Sequence, residues 1–255
     1  MSHDVVLNNG GFSAAVCKWM VIMKRTLFFS VLLLCSACTS MSANSTVVIT
    51  GTRVIYPADE KEVSVKMNNN GNVPVLVQSW IDDGDRNSTP ETAKAPFFIT
   101  PPVNRVNSGR GQVLRIRYTG DALPTDKESV FYLNVLEVPP KAKNPDGKNL
   151  LNMAFRSRLK LFFRPTGLSG NALNAPQQVS WSRDGNRVVA RNPTPFHINV
   201  ALFTEDEKGK VPLGDGGMIK PGDVRTFMLT KATAKFYPVV INDYGALKVV
   251  TPAGK

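Results

Sequence analysis

The 255-residue chain carries 31 Lys and Arg against 20 Asp and Glu, a net charge of +11, with two histidines and three cysteines. That length allows one large domain or two small ones. So few His and Cys disfavour metal sites and nucleophiles built on those residues, while the basic excess points to an anionic partner or an acidic surface.

Lys24 and Arg25 precede the apolar run LFFSVLLLC (27–35), followed by small residues up to Met41-Ser42-Ala43. A charged stretch, a short apolar core and a small residue at the cut describe a secretory signal, with cleavage expected near Ala43. The run is too short to span a bilayer and no other long apolar stretch follows, so the expectation is not an integral membrane protein. Residues 1–22 precede a second start at Met23 and read as an over-extended reading frame. Cys35-Ser36-Ala37-Cys38 is a poor lipoprotein site, because Cys35 stands where an aliphatic residue is needed; simple cleavage is expected instead. Cleavage removes Cys17, Cys35, Cys38 and His3, so disulfide and thiol chemistry go with them and His197 remains. Removing Lys18, Lys24, Arg25 and Asp4 takes the basic and acidic totals from 31 and 20 to 28 and 19, a net of +9. The sequons at Asn44 and Asn87 are short, common patterns and carry little weight.

From residue 46 onward the chain is a series of short β-type runs between turn residues. After the opening stretch come VSVKM (63–67), VLVQSW (75–80), VLRIRY (113–118) and VFYLNVLEV (130–138). Later runs are VSWS, RVVAR, INVALF (198–203), VRTFML (224–229), YPVVI and LKVVT, with a hairpin expected at Asp184-Gly185. No window shows a sustained helical period, and many short strands argue for β-sandwiches. Residues 166–177, TGLSGNALNAPQ, are polar, lack alternation and read as a hinge or linker. The expected organisation is a leader and upstream extension (1–43), one sandwich (44–165), the linker (166–177) and a second sandwich (178–255).

The segment NLLNMAFRSRLKLFFRP (149–165) stands out. Leu151, Met153, Phe155, Leu159, Leu161 and Phe163 occupy every second position, interrupted by Ser157, and Arg156, Arg158, Lys160 and Arg164 fall in the other row. This is a strand with one apolar face. Strands typically have about 5–6 residues, and at about 3.3 Å per residue this row would run roughly 40 Å. One small sandwich cannot cover it.

Enzymatic readings find little support. A nucleophilic triad would have to be built on His197, which sits at a strand start in NPTPFHINV and reads as a partly exposed structural residue. GDGG (214–217) lacks the spacing and Lys-Ser/Thr of a phosphate loop and reads as a turn. Asp82-Asp83-Gly84-Asp85 lacks the spaced ligands of a calcium loop and reads as a solvated acidic turn. No metal and no cofactor is expected. Aromatics for base stacking do not alternate with the basic row, so a nucleic-acid partner is not expected either; a solvated basic face is the plain alternative.

The motifs become specific when taken together. LPTDKESVFYLNVLEVPP (123–140), GTRVIYP around Arg53, TPPVNRV (100–106), RLKLFFRP (158–165), NPTPF (192–196) and INDYG (241–245) resemble, in the same order, the signature segments of PapD-type periplasmic pilus assembly chaperones. The resemblance spans essentially the whole chain after the leader. It implies an all-β chain of two tandem immunoglobulin-like β-sandwich domains in a boomerang arrangement, in the periplasm of a Gram-negative cell. It implies partners too: pilus subunits and an outer-membrane usher, with self-association possible when free. Leu159, Leu161 and Phe163 would fill the chain's own sandwich, while Leu151, Met153 and Phe155 would overhang and complete a subunit lacking its last strand, a general mode of strand addition. Arg53 and Lys160 would anchor the subunit's C-terminal carboxylate. Arg115, Glu128 and Asp243 would form an interdomain salt bridge. The loop 141–149 is short, as in members that assemble rod-like pili. A secreted structural pilus subunit or adhesin is the alternative, disfavoured by two domains, a stub before Arg53 and the lack of cysteine in the mature chain.

Overall fold

The structure, a computed structural model, describes residues 46–141 and 153–252. The expected leader, the cysteines, the first sequon, Leu151 and most of the 141–149 loop lie outside the described residues.

The first half contributes β1 (Val47–Ile49), β2 (Arg53–Pro57), β3 (Val63–Asn69), β4 (Val75–Asp82) and β5 (Phe97–Thr100). It continues with β6 (Val103–Val106), β7 (Gly111–Tyr118), β8 (Ser129–Val138) and β9 (Phe155–Arg164). They form a four-stranded sheet ordered β1-β3-β7-β5 and a five-stranded sheet ordered β2-β9-β8-β4-β6. Period-two alternation decides which side chains face the space between them. Val65 and Met67 on β3 and Leu114 and Ile116 on β7 point inward and are buried, while Lys66, Arg115 and Arg117 point out. From the other sheet Leu133, Leu159, Leu161 and Phe163 meet them. Tyr56, Phe97, Tyr118, Phe131 and Phe163 form an aromatic cluster at one end, with Tyr118 and Phe163 centroids 4.5 Å apart. Burying each large side chain there contributes roughly 1.5–3 kcal/mol.

The opening stretch serves both sheets. β1 lies in the first and β2 in the second, and the chain turns between them at Gly51, whose φ of +92° suits a residue without a Cβ. That change of sheet places β2 beside β9.

The second half folds as β10 (Ser180–Asp184), β11 (Arg187–Arg191), β12 (Ile198–Thr204), β13 (Pro212–Ile219), β14 (Val224–Met228), β15 (Tyr237–Ile241) and β16 (Leu247–Val249). The sheets are β10-β11-β14 and β13-β12-β15-β16, packed around Phe203, Phe227, Leu213, Ile219 and Val240. The hairpin at Asp184-Gly185 is present: Asp184 pairs with Arg187, and Gly185 has a φ of +59°.

Three strands lacked a usable pattern in the sequence. β5 and β6 have four residues each, joined through Pro101 and Pro102, too few for alternation to register. β13 contains GDGG, which is therefore strand and not the expected turn. Its glycines answer a packing demand: a Cβ on Gly216 would strike the Val200 carbonyl of β12, and one on Gly217 would strike the Arg225 guanidinium. The polar segment 166–177 is also more than a spacer. Ala175 is fully buried, and Leu168 and Ala172 pack on the second core.

Candidate functional site

β2 and β9 run parallel, and their register sets Arg53 directly beside Lys160. Neighbouring residues of a parallel pair present their side chains to the same face, so two cations are held side by side. Arg53 Nη1 donates to the Ile241 carbonyl of β15 at 3.2 Å, tying the pair to the second domain. Burial pushes the Lys160 ammonium below its ordinary value, and the nearby positive charges of Arg53 and Arg225 push it further. Burial likewise lowers Arg53, against a smaller opposing pull from Asp243. Among the described residues no carboxylate lies within ion-pair distance of Lys160. The arrangement is two adjoining, partly buried cations; a carboxylate seated there would take charge-assisted hydrogen bonds from both groups and relieve their repulsion.

The edge of β9 adjoins this site. β8 pairs with β9 from Phe155 to Phe163, but β2 covers only Lys160–Arg164 on the other side. Among the described residues, the stretch Phe155–Leu159 therefore has no strand on that edge, and its backbone groups on that side are open to another chain. Phe155 is half-buried and Met153, just before the strand, is 43% exposed. Among the described residues the strand begins at Phe155, and Leu151, where its apolar row starts in the sequence, lies outside them. The partner strand gives the reason for that start: β8 ends at Val138, and Pro139 and Pro140 have no N–H to extend the ladder.

The interdomain salt bridge has a different centre from the one expected. Arg164, at the end of β9, donates through Nε to Glu128 at 2.7 Å and through Nη1 and Nη2 to Asp243 at 2.8 and 3.1 Å. Arg115 takes no part. It lies on the outer face of β7, in the other sheet, 65% exposed and 3.9 Å from Glu62. Arg164 belongs to the outward row of β9 immediately before the second domain, which is the signal that could have singled it out. Glu128 also accepts hydrogen bonds from the His197 backbone N–H at 2.8 Å and sits 3.2 Å from His197 Nδ1. Burial alone would raise the Glu128 carboxyl, but the His197 hydrogen bonds and the Arg164 guanidinium outweigh it and hold it below its ordinary value. The His197 side chain is thus buried, although the residue as a whole keeps partial exposure, and its ring lies 5.3 Å from that of Phe162.

In the acidic turn, Asp83, Gly84 and Asp85 are exposed as expected, but Asp82 departs from that expectation. Asp82 is fully buried and accepts from Arg158 Nη2 at 2.5 Å, Asn134 Nδ2 at 2.6 Å, Ser88 Oγ at 3.1 Å and the Gly84 N–H at 2.8 Å. Arg156 donates to Asn134 Oδ1 at 2.9 Å and lies over Trp80, while Arg158 lies over Tyr132. Burial would raise the Asp82 carboxyl, yet these donors, Arg158 foremost, hold it below its usual range. The basic row of β9 is therefore mostly engaged within the chain. Arg156 and Arg158 brace its outer face, Arg164 joins the domains, and Lys160 alone of the row is left without an acidic partner among the described residues.

Known proteins share this two-domain architecture. Residues 46–169 match the family model of the pili and flagellar-assembly chaperone PapD N-terminal domain, and residues 174–251 that of the PapD C-terminal domain. The chain is 45% identical over 217 residues to the chaperone protein FimB/FhaD of Bordetella pertussis, covering 83% of this chain and 88% of that protein. The crystal structure of the YadV chaperone aligns with a TM-score of 0.67 at 40% identity, over 80% of this chain and 98% of that one. A structure of the Salmonella enterica SafA pilin in complex with the SafB chaperone aligns with a TM-score of 0.71 at 29% identity, over 82% of this chain and 98% of that one. None of the described helices is long and apolar enough to cross a membrane. With two immunoglobulin-like domains matched in order, the chain belongs to the PapD family of pilus assembly chaperones, and its role is that of a chaperone rather than of a structural subunit.

Proposed function

We propose that this chain works in the periplasm without ATP, binding a pilus subunit by strand addition and passing it to an outer-membrane usher after its own leader is cleaved near Ala43. The observation that carries the reading is the continuity of the open β9 edge with the cation pair. A subunit strand added along Phe155–Leu159 would follow the line of β2, parallel to β9, and would have to stop where β2 begins. That point is Arg53, beside Lys160. A chain end arriving there brings a carboxylate to two cations, so the edge fixes direction and the cleft fixes register. Leu151, Met153 and Phe155 then enter the subunit's open core as alternate side chains of the lent strand. Arg164 with Glu128 and Asp243 holds the second domain where the Ile241 carbonyl can steady Arg53. The exposed edge also explains why the free protein would pair with a second copy.

Arg53→Ala and Lys160→Ala test the cleft. Each should abolish capture of a co-expressed pilus subunit while leaving Tm nearly unchanged; capture retained by both would reduce the pair to surface charge. Intact mass of the secreted protein tests the leader: a chain starting near Asn44 is expected, and a lipid on Cys38 or retention of residues 1–22 contradicts it.

A further inference from the structure

Half of β9 is held along one edge only. Between Phe155 and Leu159 its ladder runs to β8, while no described strand lies on the opposite edge. The sandwich interior gives this stretch little grip. Leu159, Leu161 and Phe163 belong to the buried core cluster, but Phe155 does not, and Ser157 breaks the apolar row between Phe155 and Leu159. A single ladder of this kind frays readily, because few buried apolar contacts offset the entropy of ordering it.

The outer face supplies what the inner face lacks. Arg158, opposite Asn134 on β8, reaches over that strand to Asp82 on β4, about 10 Å away at ordinary strand spacing. Its guanidinium lies over the Tyr132 ring at 3.7 Å and donates to the carboxylate through Nε at 3.3 Å and Nη2 at 2.5 Å. Arg156 donates to Asn134 Oδ1 at 2.9 Å and lies over Trp80 of β4 at 5.0 Å. Ser88 closes the far side, its Oγ donating to Asp82 at 3.1 Å and accepting from Trp80 Nε1 at 3.2 Å. Both guanidinium groups are therefore drawn across β8 toward β4 and away from the open edge. Exposed edges are commonly guarded by long cationic side chains; here the two cations beside the edge are pulled off it, and its ladder groups stay accessible.

We propose that Asp82, Arg156 and Arg158 are positioning residues for strand lending: they hold Phe155–Leu159 extended and keep its open edge clear before a subunit strand arrives. This rests on strand addition along β9 as the mode of subunit binding and adds the means by which the free chain keeps that strand ready. A strand already ordered does not add its ordering entropy to the cost of binding, so apparent affinity follows the fraction of molecules in which the strand is formed.

Hydrogen exchange of the full chain, read residue by residue by NMR, tests the proposal together with capture of a co-expressed pilus subunit. Along an antiparallel ladder alternate residues bond the neighbouring strand, so within Phe155–Leu159 some amides face β8 and the others face the open edge. In Arg156→Gln/Arg158→Gln the amides bonded to β8 should lose protection by at least about tenfold, as expected when charge-assisted hydrogen bonds are removed. They should then exchange far faster than the amides of β3 and β7, which report that the sandwich is still folded. In competition with wild type for the same subunit, the folded variant should hold about one-tenth of the wild-type share. Asp82→Asn should act in the same way and gives a second variant should the first fold poorly. Arg115→Gln/Arg117→Gln removes equal charge from the exposed outer face of β7 and should leave both readouts at wild type. The positioning role is overturned if the Phe155–Leu159 amides exchange only together with β3 and β7, since the network then serves general stability alone. Capture undiminished after local protection is lost, or lowered equally by the β7 control, also overturns it. The open-edge amides report separately on strand addition: they should slow when wild type binds the subunit. If they do not slow, strand addition along this edge fails and the proposal with it.

Discussion

Arg53 faces Lys160 across the β2–β9 ladder, two cations in register where β2 begins. In the free protein the Lys160 ammonium is held below its ordinary value by burial and by the charges of Arg53 and Arg225. Between that lowered value and the ordinary lysine value of about 10.4 the unfolded chain binds more protons, so the Lys160 contribution favours folding increasingly as pH rises through that window. Below it the charged group opposes folding. Lys160→Met should therefore leave neutral-pH stability equal or raised while capture of subunit is lost. A carboxylate in the cleft reverses the shift: an NMR titration of the Lys160 side chain should move upward when subunit is bound. An unmoved titration would contradict carboxylate binding there.

Arg164 should be the costliest cation to remove. Arg164→Ala strands Glu128, 2% exposed at its side chain, and frees Asp243, and breaking a buried pair of this kind costs about 3–5 kcal/mol. Glu128 is held below its usual value, so the stability it lends is present above the unfolded value of about 4.3 and is lost as pH falls through the folded one. Denaturant midpoints as a function of pH should show the acid limb moving to higher pH in the variant. A variant with the wild-type midpoint and acid limb would remove Arg164 from the interdomain contact.

The Asp82 cluster makes an energetic prediction of its own. Because Asp82 and Arg158 share one network with Asn134, a double-mutant cycle of Asp82→Ala and Arg158→Ala should yield a coupling of about 0.5–3 kcal/mol. Additive losses would mean that the two side chains stand near each other without stabilising the strand.

The sequence shows which residues of β9 share a face, but it does not show what covers the outward face. Alternation makes Leu159, Leu161 and Phe163 legible as part of one apolar face, and the family resemblance, not the alternation, assigns them to the chain's own core. Asp82 was not legible as buried, because its burial comes from Arg158, 76 residues later, and from Asn134, 52 residues later. The burial of the His197 side chain escaped for the same reason: its cover is Phe162 and Glu128, from the other domain. Arg115 was chosen from motif resemblance, and only the division into two sheets separates it from Arg164. The glycines of GDGG look like a turn in sequence, and their role as points of close approach to Val200 and Arg225 appears only once β12 and β14 are in place.

The central claim, that the start of β9 and the residues before it are lent to a subunit rather than buried in the chain's own core, is tested most directly by replacing Leu151, Met153 and Phe155 together with Ser or Thr. These residues retain strand character while removing the apolar row. Co-purification with a co-expressed pilus subunit and thermal unfolding of the free protein at several concentrations are the two readouts, the second because an apolar edge invites self-pairing. The account predicts a free protein that unfolds near the wild-type temperature and carries no subunit. A fold lost by several kcal/mol at every concentration, as for a triple core truncation, or a subunit still bound, would contradict it.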